Sequence, residues 1–241
     1  MVIEATDMHF TTLNDMVRGT EDPKITIEHC IGQRYIGAGL DGKEIRIEGT
    51  PGNALGAYLN GCEVTVYGNA QDATGDTMNS GRIIVHGSAG DATGYAMRGG
   101  RIFIRDNVGY RCGIHMKAYK ENKPAIVIGG RTGSFLGEYQ AGGTLIVLGL
   151  HTDGLPVIGH FCGTGMHGGE IYVRCAEIPF TLPKQVKAER IERLPEGEVA
   201  GLLREWCRLF GRDAEELTGG GFFRITPNTD NPYKSMYVNN R

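Results

Sequence analysis

The chain is short of the features that would assign it quickly. It has one tryptophan, and 25 Lys and Arg against 28 Asp and Glu give a formal net charge of −3. A nucleic-acid reader needs a basic patch or stripe, so that class is not indicated. Its six cysteines (Cys30, Cys62, Cys112, Cys162, Cys175 and Cys207) are scattered with no CxxC pair, which spells neither a zinc ribbon nor a redox dithiol. No apolar run approaches the roughly 20 residues of a membrane span, and the N-terminus lacks a basic start leading into an apolar stretch. The expectation is a soluble, cytoplasmic protein with reduced thiols and no membrane contact.

Glycine is abundant, 38 residues of 241, roughly twice the usual share. Its placement is periodic. Gly37, Gly56, Gly75, Gly94 and Gly113 are each 19 residues apart, and Gly137 and Gly163 follow after steps of 24 and 26. The apolar pairs Ile45/Ile47, Val64/Val66, Ile83/Val85, Ile102/Ile104, Ile126/Ile128, Leu145/Val147 and Ile171/Val173 keep step with them. Alternation with period two marks strands with one buried face. A unit this short buries a core only by stacking on its neighbours. The spacing therefore predicts an all-β fold: a single right-handed parallel β-helix of about seven or eight glycine-turn coils, then a C-terminal α-helix and an extended tail. Handedness follows the rule for parallel crossovers. The expected boundaries are a cap segment at 1–23, the β-helix at 24–178, and the helix and tail at 179–241.

Stacking turns sequence positions into columns. Leu40, Leu59, Met78, Met97, Met116, Gln140 and Met166 lie three residues after a turn glycine and read as core filler, a role that suits flexible Met, rather than as a soft-metal site. Asn69, Ser88 and Asn107 read as a ladder of side-chain hydrogen bonds. The outward column is Arg46, Thr65, Ile84, Phe103, Val127, Ile146 and Tyr172. Its last five members form an apolar stripe that needs a cover: either the chain's own C-terminal helix or another polypeptide. Those five residues are the candidate docking face, and the seven turn glycines are its structural counterpart.

The flanks are less regular. Thr12 to Gly19 reads as a short helix with a Thr cap and a Gly stop, covering the end of the stack. Two insertions, Lys117–Pro124 and Leu150–His160, leave the repeat where binding loops usually leave a solenoid. Pro179 and Pro183 mark a linker. Val199, Leu202, Leu203, Trp206, Leu209 and Phe210 recur at helical spacing, and Gly211 ends that helix. The tail from Phe222 to Arg241 is expected to be an extended arm.

Catalytic and metal motifs are weak. Gly163-Thr164-Gly165-Met166-His167-Gly168 fits GxGxxG, but a dinucleotide site needs a helix after it, and here a strand is expected. His151, His160, Cys162 and His167 crowd one stretch without a zinc-ligand spacing, and Cys162 falls in the column of Thr74, Thr93 and Cys112. No base, nucleophile and orienting acid recur together. Glu44, Glu48 and Glu63 lie near Arg46, Arg82 and Arg101 and read as a solvated, charge-balanced face. No catalytic, cofactor-binding or metal residue is assigned.

The phrases Gly52-Asn53-Ala54-Leu55-Gly56-Ala57-Tyr58-Leu59 and Ala141-Gly142-Gly143-Thr144-Leu145-Ile146-Val147-Leu148-Gly149, with a G-x-x-M-x-x-G-type turn used three times, resemble a known family. It is the GXGXG domain that closes the large (α) subunit of glutamate synthase, and the resemblance covers roughly residues 11–175. Position 2 is Val2 rather than a catalytic Cys, and neither a barrel nor a cluster-binding cysteine run is present. The chain thus looks like the split form of the enzyme, in which this domain is a separate subunit. The resemblance implies a non-catalytic role, positioning a glutamine amidotransferase subunit and an FMN/iron–sulfur synthase subunit so that ammonia reaches 2-oxoglutarate. It implies no cofactor in this chain and leaves a homo-oligomer open. The glycine-repeat β-helix scaffold of formylmethanofuran dehydrogenase is similar and is the alternative. A free-standing β-helix enzyme acting on acyl groups or sugars is the alternative from another class.

Overall fold

The computed structural model describes residues 1–228. The alternating segments form strands: β1 (Val2–Glu4), β2 (Lys24–Ile31), β3 (Glu44–Thr50), β4 (Asn60–Tyr67), β5 (Ser80–Val85), β6 (Arg101–Ile104), β7 (Ala125–Ile128), β8 (Ala141–Val147), β9 (Gly168–Val173), β10 (Val186–Ile191) and β11 (Phe222–Pro227). They join in one 11-stranded sheet in the order β1 to β9, then β11, then β10. Strands β1 to β9 are parallel, while β11 pairs antiparallel with both β9 and β10. Register follows the repeat, so that Ile45, Val64, Ile83, Ile102, Ile126, Leu145 and Ile171 lie side by side across the sheet.

This topology corrects the expected all-β right-handed parallel β-helix. Regular strand pairing is confined to one open, mostly parallel sheet, accompanied among the described residues by α1 (Phe10–Gly19), α2 (Glu198–Phe210) and α3 (Ala214–Thr218). The segments between strands are turns, and their strand-type pairing among the described residues is limited to isolated bridges such as Ala70 to Ala89 and Ala89 to Val108. The reason is local conformation. The turn glycines Gly37, Gly56, Gly75, Gly94, Gly113, Gly137 and Gly163 all have φ between 63° and 74°. The residues two before them, including Ala54, Ala73 and Ala92, and two after them, including Tyr58, Thr77 and His115, are left-handed as well. A chain reversing direction this tightly leaves only single extended residues, Ala70, Ala89, Val108 and Thr132, which pair one to one as bridges instead of forming a second set of strands.

Left-handed side chains cost about 1–2 kcal/mol each, and hydrogen bonds between successive turns offset that cost. Ala54, Ala73 and Ala92 donate their amides forward, to the carbonyls of Asp72, Asp91 and Tyr110, at 2.8–2.9 Å. Gly56, Gly75 and Gly94 donate backward, to Ile36, Leu55 and Thr74, all at 2.8 Å. Side chains extend the ladder, as read from the sequence: Asn69 accepts from the Ser88 amide, Ser88 from Asn107, and Asn107 from Arg131. Asn53, Asp72 and Asp91 make a second such file.

The sheet separates two cores. On one side Ile83, Val85, Ile102 and Ile104 pack against the turns, with Met78, Met97, Met116 and Met166 as filler. Helix α1 closes the N-terminal end of this core with Leu13 and Val17, while Asn14 and Arg18 donate to the carbonyls of Arg34 and Ala38. Those carbonyls belong to the first turn, which has no earlier repeat to donate to them. The helix begins two residues before Thr12, because the His9 ring accepts from the Thr11 amide, and Thr20 rather than Gly19 caps its end.

Gly75→Ala tests the turn. Its φ of 71° disfavours a side chain, and a Cβ there would run into the tip of Ile102. We expect a loss of about 1–3 kcal/mol in urea unfolding.

Candidate functional site

The second core lies on the outward side of the sheet. Ile84, Phe103, Val127, Ile146 and Tyr172 sit on adjacent strands and are at most 3% exposed. Helix α2 lies over them, with Leu202, Leu203, Trp206 and Cys207 in the same cluster, and Leu194, Leu217 and Phe222 complete it. Arg46 and Thr65, the polar members of the column, lie on β3 and β4 outside this cluster. Helix α2 ends on Gly211, whose left-handed conformation and amide bond to the Cys207 carbonyl form the stop that the sequence predicts.

Trp206 is the anchor. Its indole N–H donates to the Ile104 carbonyl at 2.9 Å, and that carbonyl also accepts the Gly129 amide at 3.0 Å. Gly129 occupies the position filled by Tyr67, His86, Arg105 and Leu148 on neighbouring strands, one residue past the inward-facing end. A Cβ there would collide with the indole and with the Arg105 carbonyl. The sequence reading missed this pairing. The signal was a single Gly breaking a column of larger side chains, and it acquires meaning only when the helix is in place.

Around the apolar centre the contacts are polar. Glu205 of α2 is held between Arg82 and Arg101, each 2.6 Å away, and Arg82 also pairs with Glu63. The charge-balanced face of β3 to β6 is therefore partly a clasp for the helix. At the opposite flank the rings form a file. Arg46 lies over Tyr67, Tyr67 stacks on His86 at 4.8 Å, and Phe210 meets His86 edge-on and touches Trp206 at 5.0 Å. Burial, with Arg105 and Arg46 nearby, holds the His86 pKa below the ordinary histidine value.

The histidine-rich stretch does not converge. The His151 ring lies 3.2 Å from Arg212, His160 stacks on Phe180 at 3.7 Å, and the Nδ1 of His167 lies 3.1 Å from the Gly165 carbonyl. Cys162 is buried in the turn-side core, where burial pushes its thiol up to about 12, as it does that of Cys112. Thiols with pKa values this high are not nucleophiles at neutral pH. The GxGxxG phrase is a turn followed by β9, with Gly163 stacked beneath Val186. The mixed-charge stretch Lys184–Glu198, which follows the linker prolines Pro179 and Pro183, contains β10, whose charged residues suit a sheet edge. The first part of the expected extended arm is β11, and residues 229–241 of that arm lie outside the described residues.

The GXGXG-motif family model matches residues 14–218. The chain belongs to the GXGXG family. An uncharacterized protein of Methanocaldococcus jannaschii is 40% identical to this GXGXG protein over 261 aligned residues, which cover 99% of this chain and 96% of the relative. Among solved structures, a chain of the formyltransferase/hydrolase complex (FhcABCD) of Methylorubrum extorquens, determined with methylofuran, matches with a TM-score of 0.62. It is 24% identical, and the match covers 86% of this chain and 74% of that one. That likeness speaks to the fold. Among the described residues, no helix is long and apolar enough to cross a membrane.

Two outcomes follow for the helix of this GXGXG protein. Phe103→Asp places an unpaired carboxylate beneath α2 and should cost about 4 kcal/mol or more; Trp206 fluorescence should shift to the red as the helix leaves the sheet. His86 adds a pH dependence. Free histidine takes its proton near pH 6.5, whereas folded His86 does so lower. Its contribution is therefore complete above about pH 6.5 and is lost as the pH falls toward the folded value. The decrease in urea midpoint between pH 7.5 and pH 5.5 should be smaller in His86→Phe than in the wild type.

Proposed function

We propose that this GXGXG protein is a non-catalytic structural subunit of a split glutamate synthase-type complex. It would hold a glutamine amidotransferase subunit and an FMN/iron–sulfur synthase subunit in place for ammonia transfer to 2-oxoglutarate. The observation that carries the reading is the solid interior. Both sides of the sheet are filled with side chains, successive turns are tied by hydrogen bonds, and Trp206 and Glu205 bond α2 to the sheet. Such a body offers fixed distances between attachment points. Family membership supports the role, and so does the Methanocaldococcus relative, which is matched over nearly its whole length and so presents this unit without a long catalytic extension. FMN and the iron–sulfur cluster belong to partner subunits in this reading.

The likeness to a chain of the Methylorubrum complex favours a second reading. The same kind of platform would there serve a formyl-transferring assembly, near the formylmethanofuran dehydrogenase alternative drawn from the sequence.

Native purification of the tagged chain from its own cells, followed by mass spectrometry, separates the two. Co-purification of an amidotransferase with an FMN/iron–sulfur protein is the expected result. Recovery of formyltransferase or dehydrogenase subunits would overturn the first reading in favour of the second. The purified chain alone should show no glutaminase and no glutamate synthase turnover, and measurable activity of either kind would refute the structural role.

A further inference from the structure

At the N-terminal edge of the sheet, β1 and β2 bring together donors that the docking face does not use. Glu4 and Glu28 are register partners on these adjacent strands and so share a face. His29, next in the chain, belongs on the opposite face of a regular strand. It does not go there, because the inward positions run Ile25, Ile27 and then Cys30, one residue late, and the β2–β3 register shifts at that point. His29 is the extra residue of a bulge, with φ of 54°, and its ring turns toward the carboxylates. Nδ1 lies 2.8 Å from one oxygen of Glu4 and 3.0 Å from the other. One donor atom from each of the three side chains lies within 4.8 Å of the other two.

We propose that Glu4, Glu28 and His29 bind one divalent transition-metal ion of the zinc class, fastening β1 to β2. Zinc–nitrogen and zinc–oxygen bonds of about 2.0–2.1 Å in a tetrahedron hold neighbouring donors roughly 3.3 Å apart. The His29–Glu4 pair need open only slightly to admit an ion, and Glu28 need close by a rotamer change. Glu4 is already oriented: the Thr6 hydroxyl and amide both donate to its Oε1, at 2.6 and 3.1 Å, which directs Oε2 to His29. Such outer contacts are typical of built metal sites. Among the described residues the Glu28 carboxylate has no hydrogen-bond or ion-pair partner, so it is free to ligate. An open cleft of about 560 Å³ lined by Glu28, His29, Cys30, Ile31, Glu48 and Gly49 gives access from solvent. Two carboxylates offset a dication, and the imidazole nitrogen favours zinc or cobalt over magnesium or calcium. Binding displaces any proton on His29 into solvent.

The test uses the full chain, stripped with chelator and titrated with Co²⁺ in a visible spectrometer, with melting temperature read in parallel. One equivalent should produce the ligand-field bands of a low-coordinate site and raise the melting temperature. Mg²⁺ at the same concentration should do neither. His29→Ala and Glu28→Gln, both surface changes that leave the core intact, should each weaken Co²⁺ binding tenfold or more without lowering the metal-free melting temperature. His167→Ala should bind as the wild type does. Wild-type affinity in the His29 and Glu28 variants overturns the proposal, as does an equal shift with Mg²⁺ or loss of binding in His167→Ala instead.

Discussion

Backbone hydrogen bonds between successive turns hold this molecule at a spacing of one repeat. From Tyr35 to Phe135 the left-handed residue two positions before a turn glycine sends its amide forward to the next turn, and from Gly56 to Gly163 the glycine sends its own amide back to the previous one. Neither bond forms without the other turn in place, so each repeat is ordered by its neighbours and the unit cannot stand alone. The alternation also explains why alanine, threonine, tyrosine and histidine tolerate a conformation normally left to glycine. The strain at each is offset by a bond that only this backbone geometry can make. Once the turns are fixed, strand register follows, and with it the separation of inward from outward residues.

The two sides of the sheet are then put to different uses. The turn side is closed by its own repeat, with methionines filling the space left between branched strand residues. The outward side has no such partner and borrows one from further along the chain. Trp206 reaches the Ile104 carbonyl because Gly129 leaves room, and Glu205 is clasped by two arginines at the opposite flank. The polar clasp sets where the helix lies, while burial of Phe103, Ile146 and Tyr172 supplies most of the attraction. The apolar stripe is thus an internal surface, covered by the chain's own helix.

Much of this was legible in the sequence, for definite reasons. The 19-residue spacing gave the strand register directly, because identical positions in a stack must lie side by side. The Asn69, Ser88 and Asn107 ladder was legible for the same reason. The amphipathic run ending at Gly211 showed a helix, and its one tryptophan lies on the buried face. What could not be read was how the chain closes between strands. Ala73 and Ala92 carry no mark of a left-handed conformation, so the returns looked able to form strands of their own, and the single open sheet was not foreseen. β10 was hidden because an edge strand with Lys187, Glu189 and Arg190 looks like a mixed-charge stretch after the linker prolines. The Glu4, Glu28 and His29 cluster depends on a one-residue bulge, which leaves no periodic trace.

The same features bear on what kind of work such a body can do. Catalysis asks for groups held out of their preferred protonation state in a reachable cleft. Here the strongest perturbations fall on Cys112, Cys162 and Tyr172, and all run upward, toward inert thiols inside packed turns and a protonated phenol beneath α2. Rigidity is distributed evenly, one set of bonds per repeat, rather than concentrated around one constellation. A stack built in this way transmits a fixed separation from its α1 end to the β11–β10 edge. In the scaffold role proposed above, that separation is what partner subunits would need held constant, and a ladder of backbone bonds repeated at each turn holds it independently of most of the side chains on its surface.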